Sequence, residues 1–420
     1  MGGPRDDVAG LPARRAALGL LDAVLRKGLP LEAALDNAAR GLAPNDRGLA
    51  HAIAAEALRR LPDLDALIDG ATQRPLPDDA KARSALRIAL VQALALGTPP
   101  HAAISTVLPL VDGGPRKLVH GVFGTLMRKR PALPALPSLP APVEARWTRH
   151  WGEAVVREAA RQLAEPPPLD LCFAAGAEPP SDMGGISLMP GHLRLPARSA
   201  VAGLTGYGEG GWWVQDVAAS LPARLLGEGR GRTALDLCAA PGGKTMQLAA
   251  AGFEVTAVDS SESRLARLSE NLARTQLGAK VVAADILRWS PPDKVDSILL
   301  DAPCSATGIY RRHPDVLHRI RPRAIAELAE GQKAMLARCA GWLRPGGTLV
   351  YSVCSLEPEE GEAVAEAFLA ERRDFEAAHI ETGELPAGLP VEGHRLRTLP
   401  GLFAETGGAD GFFIARFRRT

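Results

Sequence analysis

Aromatic residues make up only 4% of the 420-residue chain, so ring stacking can supply little of any recognition it performs. Cysteine is scarce too. The five cysteines, at 172, 238, 304, 339 and 354, are odd in number and form neither a CxxC pair nor a Cys/His metal spacing. That pattern excludes a disulfide framework or a zinc site and predicts reduced thiols in a cytoplasmic protein. No apolar run approaches the roughly 18 residues of a membrane span. Residues 1–10 carry charges and no apolar leader core, which predicts no secretory signal. Net charge is +1, so nucleic-acid binding must come from local patches and not from a global field.

The chain is too long for one ordinary core, and its 46% hydrophobic content is enough for globular packing. Residues 1–130 read as an all-α domain: Ala16, Leu20, Leu21, Val24 and Leu25 fall at helical spacing, and similar stripes recur at 49–61, 85–96 and 107–127. Prolines at 44, 62, 75, 77, 99 and 100 mark the breaks. Residues 131–142 carry proline at nearly every third position, which predicts a semi-rigid linker on which the helical domain pivots. Residues 143–211 read as a small α/β subdomain that opens with a helix over 143–165. From 212 to 420, strands at 234–238, 254–259, 280–285, 295–301 and 348–353 alternate with helices at 243–251, 261–277, 323–343 and 359–372. That alternation predicts a Rossmann-like, mostly parallel, doubly wound α/β sheet.

Ligands of such sheets gather at the C-terminal ends of the strands. The first strand runs into Cys238-Ala239-Ala240-Pro241-Gly242-Gly243-Lys244, whose glycines let backbone N–H groups approach a ligand at a helix start. Asp259 ends the second strand, where a carboxylate can hold two ribose hydroxyls. The third strand ends in Asp285, placed to accept from an adenine amino group. This loop is not GxGxxG, and no complete GxxxxGK[ST] phosphate cradle is present. S-Adenosylmethionine therefore fits better than NAD or ATP.

Two more strand ends carry cysteine, in Asp301-Ala302-Pro303-Cys304 and Tyr351-Ser352-Val353-Cys354-Ser355. Carbon 5 of cytosine is too weak a nucleophile to take a methyl group from a sulfonium unaided. A thiolate adding to C6 turns the ring into an enamine; a base must then remove the C5 proton so that the thiol can leave. Cys354, Cys304 and Asp301 are residues of the required types, and either thiol by itself could attack. Cys172 and Cys339 read as small buried hydrophobes, and of Cys238 only the backbone need touch the cofactor.

From Val214-Gln215-Asp216 to Phe412-Phe413 the chain resembles the bacterial 16S ribosomal RNA cytosine-5 methyltransferase family. The matching strings are DLCAAPGGKT at 236–245, LLDAPCSATG at 299–308, RRHPDV at 311–316, LRPGGTLVYSVCSLEPEE at 343–360 and DGFF at 410–413. Asp46-Arg47, Leu64-Asp65 and the run from Ala89 to Leu94 resemble the helical domain of the antitermination factor NusB, which precedes the methyltransferase in this family. The resemblance implies Cys354 as nucleophile, Cys304 as the aid to product release, and Asp301 and Lys244 facing the base and the methyl donor. It implies cofactor contacts along Cys238 to Lys244 and at Asp259, Asp285 and Asp301. Two departures stand out: Val353 replaces the usual Thr before the nucleophile, and Leu169-Asp170-Leu171-Cys172 replaces a Leu-Arg-Val-Asn strand.

Arg311, Arg312, His313, His318, Arg319, Arg321 and Arg323 crowd together after Cys304, as expected of a phosphate clamp beside the site. Arg116-Lys117 and Arg128-Lys129-Arg130 form a second basic patch. The expected partner is 16S ribosomal RNA, naked or partly assembled, bound by a monomer that needs neither metal nor membrane. A DNA enzyme of this chemistry would carry a Glu-Asn-Val segment, and none is present. A transfer-RNA cytosine-5 methyltransferase and a non-catalytic ribosome-assembly factor remain as alternatives.

Overall fold

In the computed structural model residues 10–174, 176–197 and 199–420 are described. The charged stretch at 1–9, on which the argument against a leader rests, lies outside them. The chain forms two compact units. One takes in the chain up to Glu165 together with Tyr310–Ile320; the other comprises Pro166–Ile309 and Arg321–Thr420.

The first unit is helical, and its proline positions explain its outline. Pro44, Pro62 and Pro100 each sit in the first turn of a helix, where the missing N–H costs nothing. The central helix is Lys81–Leu94, in which Ile88, Ala89, Leu90 and Val91 are all fully buried. A helix without a wet face is wrapped by its neighbours, here Leu11–Leu25, Pro44–Arg59 and Gly113–Lys129. Two arginines on it are buried and neutralised. Arg83 forms a bidentate pair with Asp69 at 2.6 and 2.9 Å, and Arg87 pairs with Asp65 at 2.7 and 2.8 Å.

The proline-rich stretch is not a free pivot. Arg60 donates to the Pro134 carbonyl at 2.7 Å, Asp63 accepts from the Ser138 N–H at 3.2 Å, and Leu139 is buried, so the strap is fastened to the helical unit. The following helix, Ala141–Ala164, breaks at Gly152 with φ +81° and buries Trp147 and Leu163. It belongs to the helical unit, which therefore runs to Glu165, past the boundary at 142 expected from the sequence.

Tyr310–Ile320 also belongs to this unit. Tyr310 packs edge-on to Trp147 at 5.4 Å and donates to Gln162 at 2.9 Å. Arg59 donates to the carbonyls of Leu163 and Arg311 at 2.8 and 3.3 Å. Desolvation pushes His318 down to about 4, so the neutral ring donates Nε2–H to the Leu58 carbonyl at 2.7 Å.

In the second unit β1 (Leu169–Phe173), β2 (His192–Leu195) and β3 (Trp212–Val214) form an antiparallel sheet in the order β2-β1-β3. Asp170, at the departure from the family strand, faces Arg194 across β1 and β2 and accepts from its Nε and Nη2, both at 2.7 Å. Burial opposes that charge, but Arg194 and His192 hold the carboxyl well below the usual range.

The larger sheet contains β4 (Thr233–Leu237), β5 (Glu254–Asp259), β6 (Lys280–Ala283), β7 (Val295–Asp301), β8 (Leu343–Val353), β9 (Phe375–Ala377), β10 (Val391–Glu392), β11 (Arg395–Thr398) and β12 (Phe412–Arg419). Its order is β10-β11-β12-β8-β7-β4-β5-β6, with β9 against the far end of β12. The strands β8, β7, β4, β5 and β6 run parallel; β12 enters antiparallel to β8. Ile298, Leu299 and Leu300 are all fully buried because both faces are covered. Alternate residues feed two cores: Leu300 packs with Leu336 and Phe368, Leu299 with Leu248 and Ile414. Each such side chain contributes roughly 1.5–3 kcal/mol.

Candidate active site

The strand ends of β4, β5, β7 and β8 converge on one edge. After β4 the chain turns sharply, with Cys238 at φ +62° and Gly242 at φ +106°. A Cβ on Gly242 would also lie 2.9 Å from Leu268, so this turn requires glycine. Asp259 braces it: its oxygens accept from Ala240 N–H at 3.2 Å and Ser261 N–H at 2.9 Å, while Arg264 bonds the Ala240 carbonyl. Burial, with Asp259 and Asp301 nearby, pushes the Cys238 thiol well up, so it stays protonated and unreactive. The expectation for the third strand needs correction. β6 stops at Ala283, and Asp285 lies in the exposed turn beyond it, accepting from Leu287 N–H at 2.9 Å.

Behind the turn Asp236 is fully buried. One oxygen accepts from Thr245 Oγ1 at 2.5 Å and the other has no protein partner. Desolvation raises this carboxyl to about 7, opposed by Thr245 and Lys244 and reinforced by Asp301 and Asp259. Lys244, on the first turn of the Gly243–Ala250 helix, bonds Asp301 at 2.8 Å and lies 5.3 Å from the Phe412 ring centre. Burial alone would lower its ammonium, but Asp301 and the neighbouring Cys354 and Asp236 raise it, so the lysine remains charged. Ser352 donates to the other oxygen of Asp301 at 2.8 Å. With Lys244 spent on Asp301 and further acidic character from Asp259, this edge disfavours phosphate and suits a cationic nucleoside. The residues that could hold S-adenosylmethionine are Asp259 and Asp285, whose carboxylates can accept from hydroxyl and amino groups, and the Cys238–Gly243 turn, whose backbone permits close approach.

Cys304 and Cys354 meet at this edge, sulfur to sulfur at 3.5 Å, both half-buried. The hydrogen bond to Cys354, then burial, then the charge of Cys354, push the Cys304 thiol well above its ordinary value. Close backbone packing sets the approach. Gly308 N–H donates to the Cys354 carbonyl at 3.0 Å, and Gly411 N–H to the Gly308 carbonyl at 2.8 Å. A Cβ on Gly308 would sit 1.9 Å from the Gly411 oxygen.

The structure does not bring the basic cluster together as one clamp. Arg311 is buried at 1% exposure and Arg319 is tied to Asp315 at 3.0 Å, because the segment that carries them is packed into the helical unit. Arg312 is exposed and His313 half-buried in the same segment, while Arg321 is exposed in the other unit, where it precedes the Pro322–Ala340 helix. Sequence reasoning also missed Ser352, Phe412 and Glu360. Ser352 follows from register, since it pairs with Asp301 across β7 and β8.

A model of the family described as 16S rRNA methyltransferase RsmB/F matches residues 223–418, and a NusB family model matches residues 11–125. The chain is 34% identical over 442 residues to ribosomal RNA small subunit methyltransferase B of Klebsiella pneumoniae, covering 96% of this chain and 97% of the relative. The protein of that name from Sodalis glossinidius is 35% identical over 426 residues, covering 94% of each. The solved structure of PH0851 superposes with a TM-score of 0.76 over the whole of both chains at 20% identity, a likeness of fold.

Proposed function

Because the chain belongs to the 16S rRNA methyltransferase RsmB/F family, we propose that it methylates C5 of a cytosine in 16S ribosomal RNA through a covalent bond from Cys354. The observation that carries this reading is the 3.5 Å approach of the Cys304 and Cys354 sulfurs at the edge that holds the Lys244–Asp301 pair. S-Adenosylmethionine, when bound, supplies a methyl group on a positively charged sulfur.

Cys354 Sγ bonds to C6, and the C5–C6 electron pair becomes available at C5. Asp301, fixed by Ser352 and Lys244, is assigned to the N3 and 4-amino edge of the base. After C5 is methylated its proton must leave, so that the double bond re-forms and the C6–S electron pair returns to Cys354. Cys304 suits that step. Once Cys354 is bonded to carbon, its hydrogen bond and its charge no longer hold the proton on Cys304; Cys304 releases that proton to solvent and, as a thiolate, takes the one from C5.

A base reaches Cys354 only outside its stack, which favours an unpaired target. Exposed Arg312 and Arg321, with Arg116-Lys117 and Arg128-Lys129-Arg130 on the helical unit, are assigned to RNA phosphates. The test is methyl transfer from labelled S-adenosylmethionine into naked 16S RNA, small subunits, transfer RNA and DNA, followed by nucleoside analysis. 5-Methylcytidine in 16S RNA alone is the expected result. Label only in transfer RNA would overturn the substrate, and another methylated nucleoside would overturn the chemistry.

A further inference from the structure

We propose that Glu360 is a positioning residue that clamps the two cysteine loops together and so sets the spacing of their sulfurs. The inference rests on the reaction proposed above and adds a residue to it. Each reactive cysteine is followed by a serine, Ser305 or Ser355, and both serines are fully buried. The Glu360 side chain lies between them, itself fully buried. Its Oε1 accepts from the Ser305 N–H at 2.8 Å and from Gln332 Nε2 at 3.0 Å. Its Oε2 accepts from Ser305 Oγ and Ser355 Oγ, both at 2.5 Å. One carboxylate thus takes four donors, three of them from the residues next to Cys304 and Cys354.

The surrounding bonds close the network. Gln332 donates also to the Pro303 carbonyl at 2.9 Å, on the other side of Cys304. Tyr351, three residues before Cys354, donates to the Glu360 carbonyl at 2.6 Å. Thr307 Oγ1 accepts from Leu356 N–H at 3.0 Å. Neither cysteine side chain is a partner of Glu360 in these bonds; the carboxylate fixes the backbone on which each thiol stands. Cys304 and Cys354 lie on different loops; the Gly308–Cys354 backbone bond joins them on one side, and the Glu360 carboxylate joins the residues directly after each thiol. A buried network with all its partners met holds one geometry, and a misplacement of about 1 Å costs on the order of 100-fold in rate. A carboxylate suits the task because it accepts from several donors at once, whereas an amide would turn one donor of its own toward the serines.

The test uses the full chain and compares wild type with Glu360→Gln, Ser355→Ala and, as a control, Glu359→Gln, an exposed neighbour that loses the same charge. Two quantities are read: kcat and KM for methylation of an unmodified 16S RNA transcript, and the rate at which diamide joins Cys304 to Cys354 in the absence of RNA. For Glu360→Gln, kcat is expected to fall by about 30- to 100-fold while KM for RNA and for S-adenosylmethionine stays within about twofold. Disulfide formation is expected to slow by about tenfold, with alkylation of each thiol by iodoacetamide no slower than in wild type. Ser355→Ala, a small change that tests the clamp even if Glu360→Gln does not fold, is expected to show both effects at about a third of the size. Glu359→Gln should match wild type. Unchanged disulfide formation in the folded variants overturns the clamp, whatever happens to methylation. Because that reaction needs no RNA, slowed cross-linking in variants of a wild type that methylates no RNA would uphold the clamp and overturn the proposed reaction.

Discussion

The sulfurs of Cys304 and Cys354 lie 3.5 Å apart although fifty residues separate them in the chain. Parallel pairing of β7 with β8 produces this, because Asp301 and Ser352 are register partners and each cysteine follows within three residues. The pair is asymmetric. Its hydrogen bond to Cys354, burial and the charge of Cys354 hold Cys304 as a thiol, and in the proposed reaction Cys354 is the thiol that attacks.

That asymmetry predicts two different failures. Cys354→Ala should abolish both methyl transfer and covalent adducts with 16S RNA. Cys304→Ala should instead accumulate an adduct, because the C5 proton is not removed and the C6–S bond persists. Denaturing gels of each variant incubated with RNA and S-adenosylmethionine decide this. An adduct with Cys354→Ala and none with Cys304→Ala would exchange the roles.

Gly308→Ala should be among the most damaging single-methyl additions in the catalytic unit. The new carbon would sit 1.9 Å from the Gly411 carbonyl oxygen and 3.0 Å from that of Cys354, both of them backbone atoms with no rotamer to yield. We expect a loss of about 3 kcal/mol or more in urea unfolding, with methyl transfer down by about 100-fold or beyond. A variant of wild-type stability and activity would show that this contact is looser than the geometry implies.

Asp236 should make the catalytic unit less stable as pH rises through neutrality. Its folded value is raised by desolvation to about 7 from an ordinary 3.8, so the native state binds the extra proton between those values. The stabilisation is complete below pH 3.8 and is lost as pH rises through about 7, on the order of 4 kcal/mol in all. Asp236→Asn keeps the Thr245 bond and removes the titration. Urea midpoints across this range should fall for wild type relative to the variant, and parallel curves would refute the assignment.

Periodicity and turn chemistry were enough to read much of the catalytic unit from the chain. β5 and β7 fall on the expected residues 254–259 and 295–301, since strands buried on both faces appear as short apolar runs that stop at charged ends. The short strands β3, β10 and β11 were not read, because runs of two to four residues carry too little pattern and exist only through their partners. The helix at 141–164 was read but assigned to the wrong domain, since the proline stretch that looks like a linker is strapped down by Arg60 and Asp63.

The residue types of the site were determined by the sequence alone: two thiols, a lysine, Asp259 and Asp301, and a glycine turn, each at or just after a strand end or at a helix start. Local chemistry dictates those, because turns and caps depend on near neighbours. What the tertiary structure decided is which of them meet. It set Cys304 against Cys354, gave Lys244 to Asp301, buried Arg311 in the helical unit and placed Glu360 between two serines fifty residues apart. Those outcomes depend on strand register and on desolvation, which arise only when distant segments pack and exclude water from the groups between them.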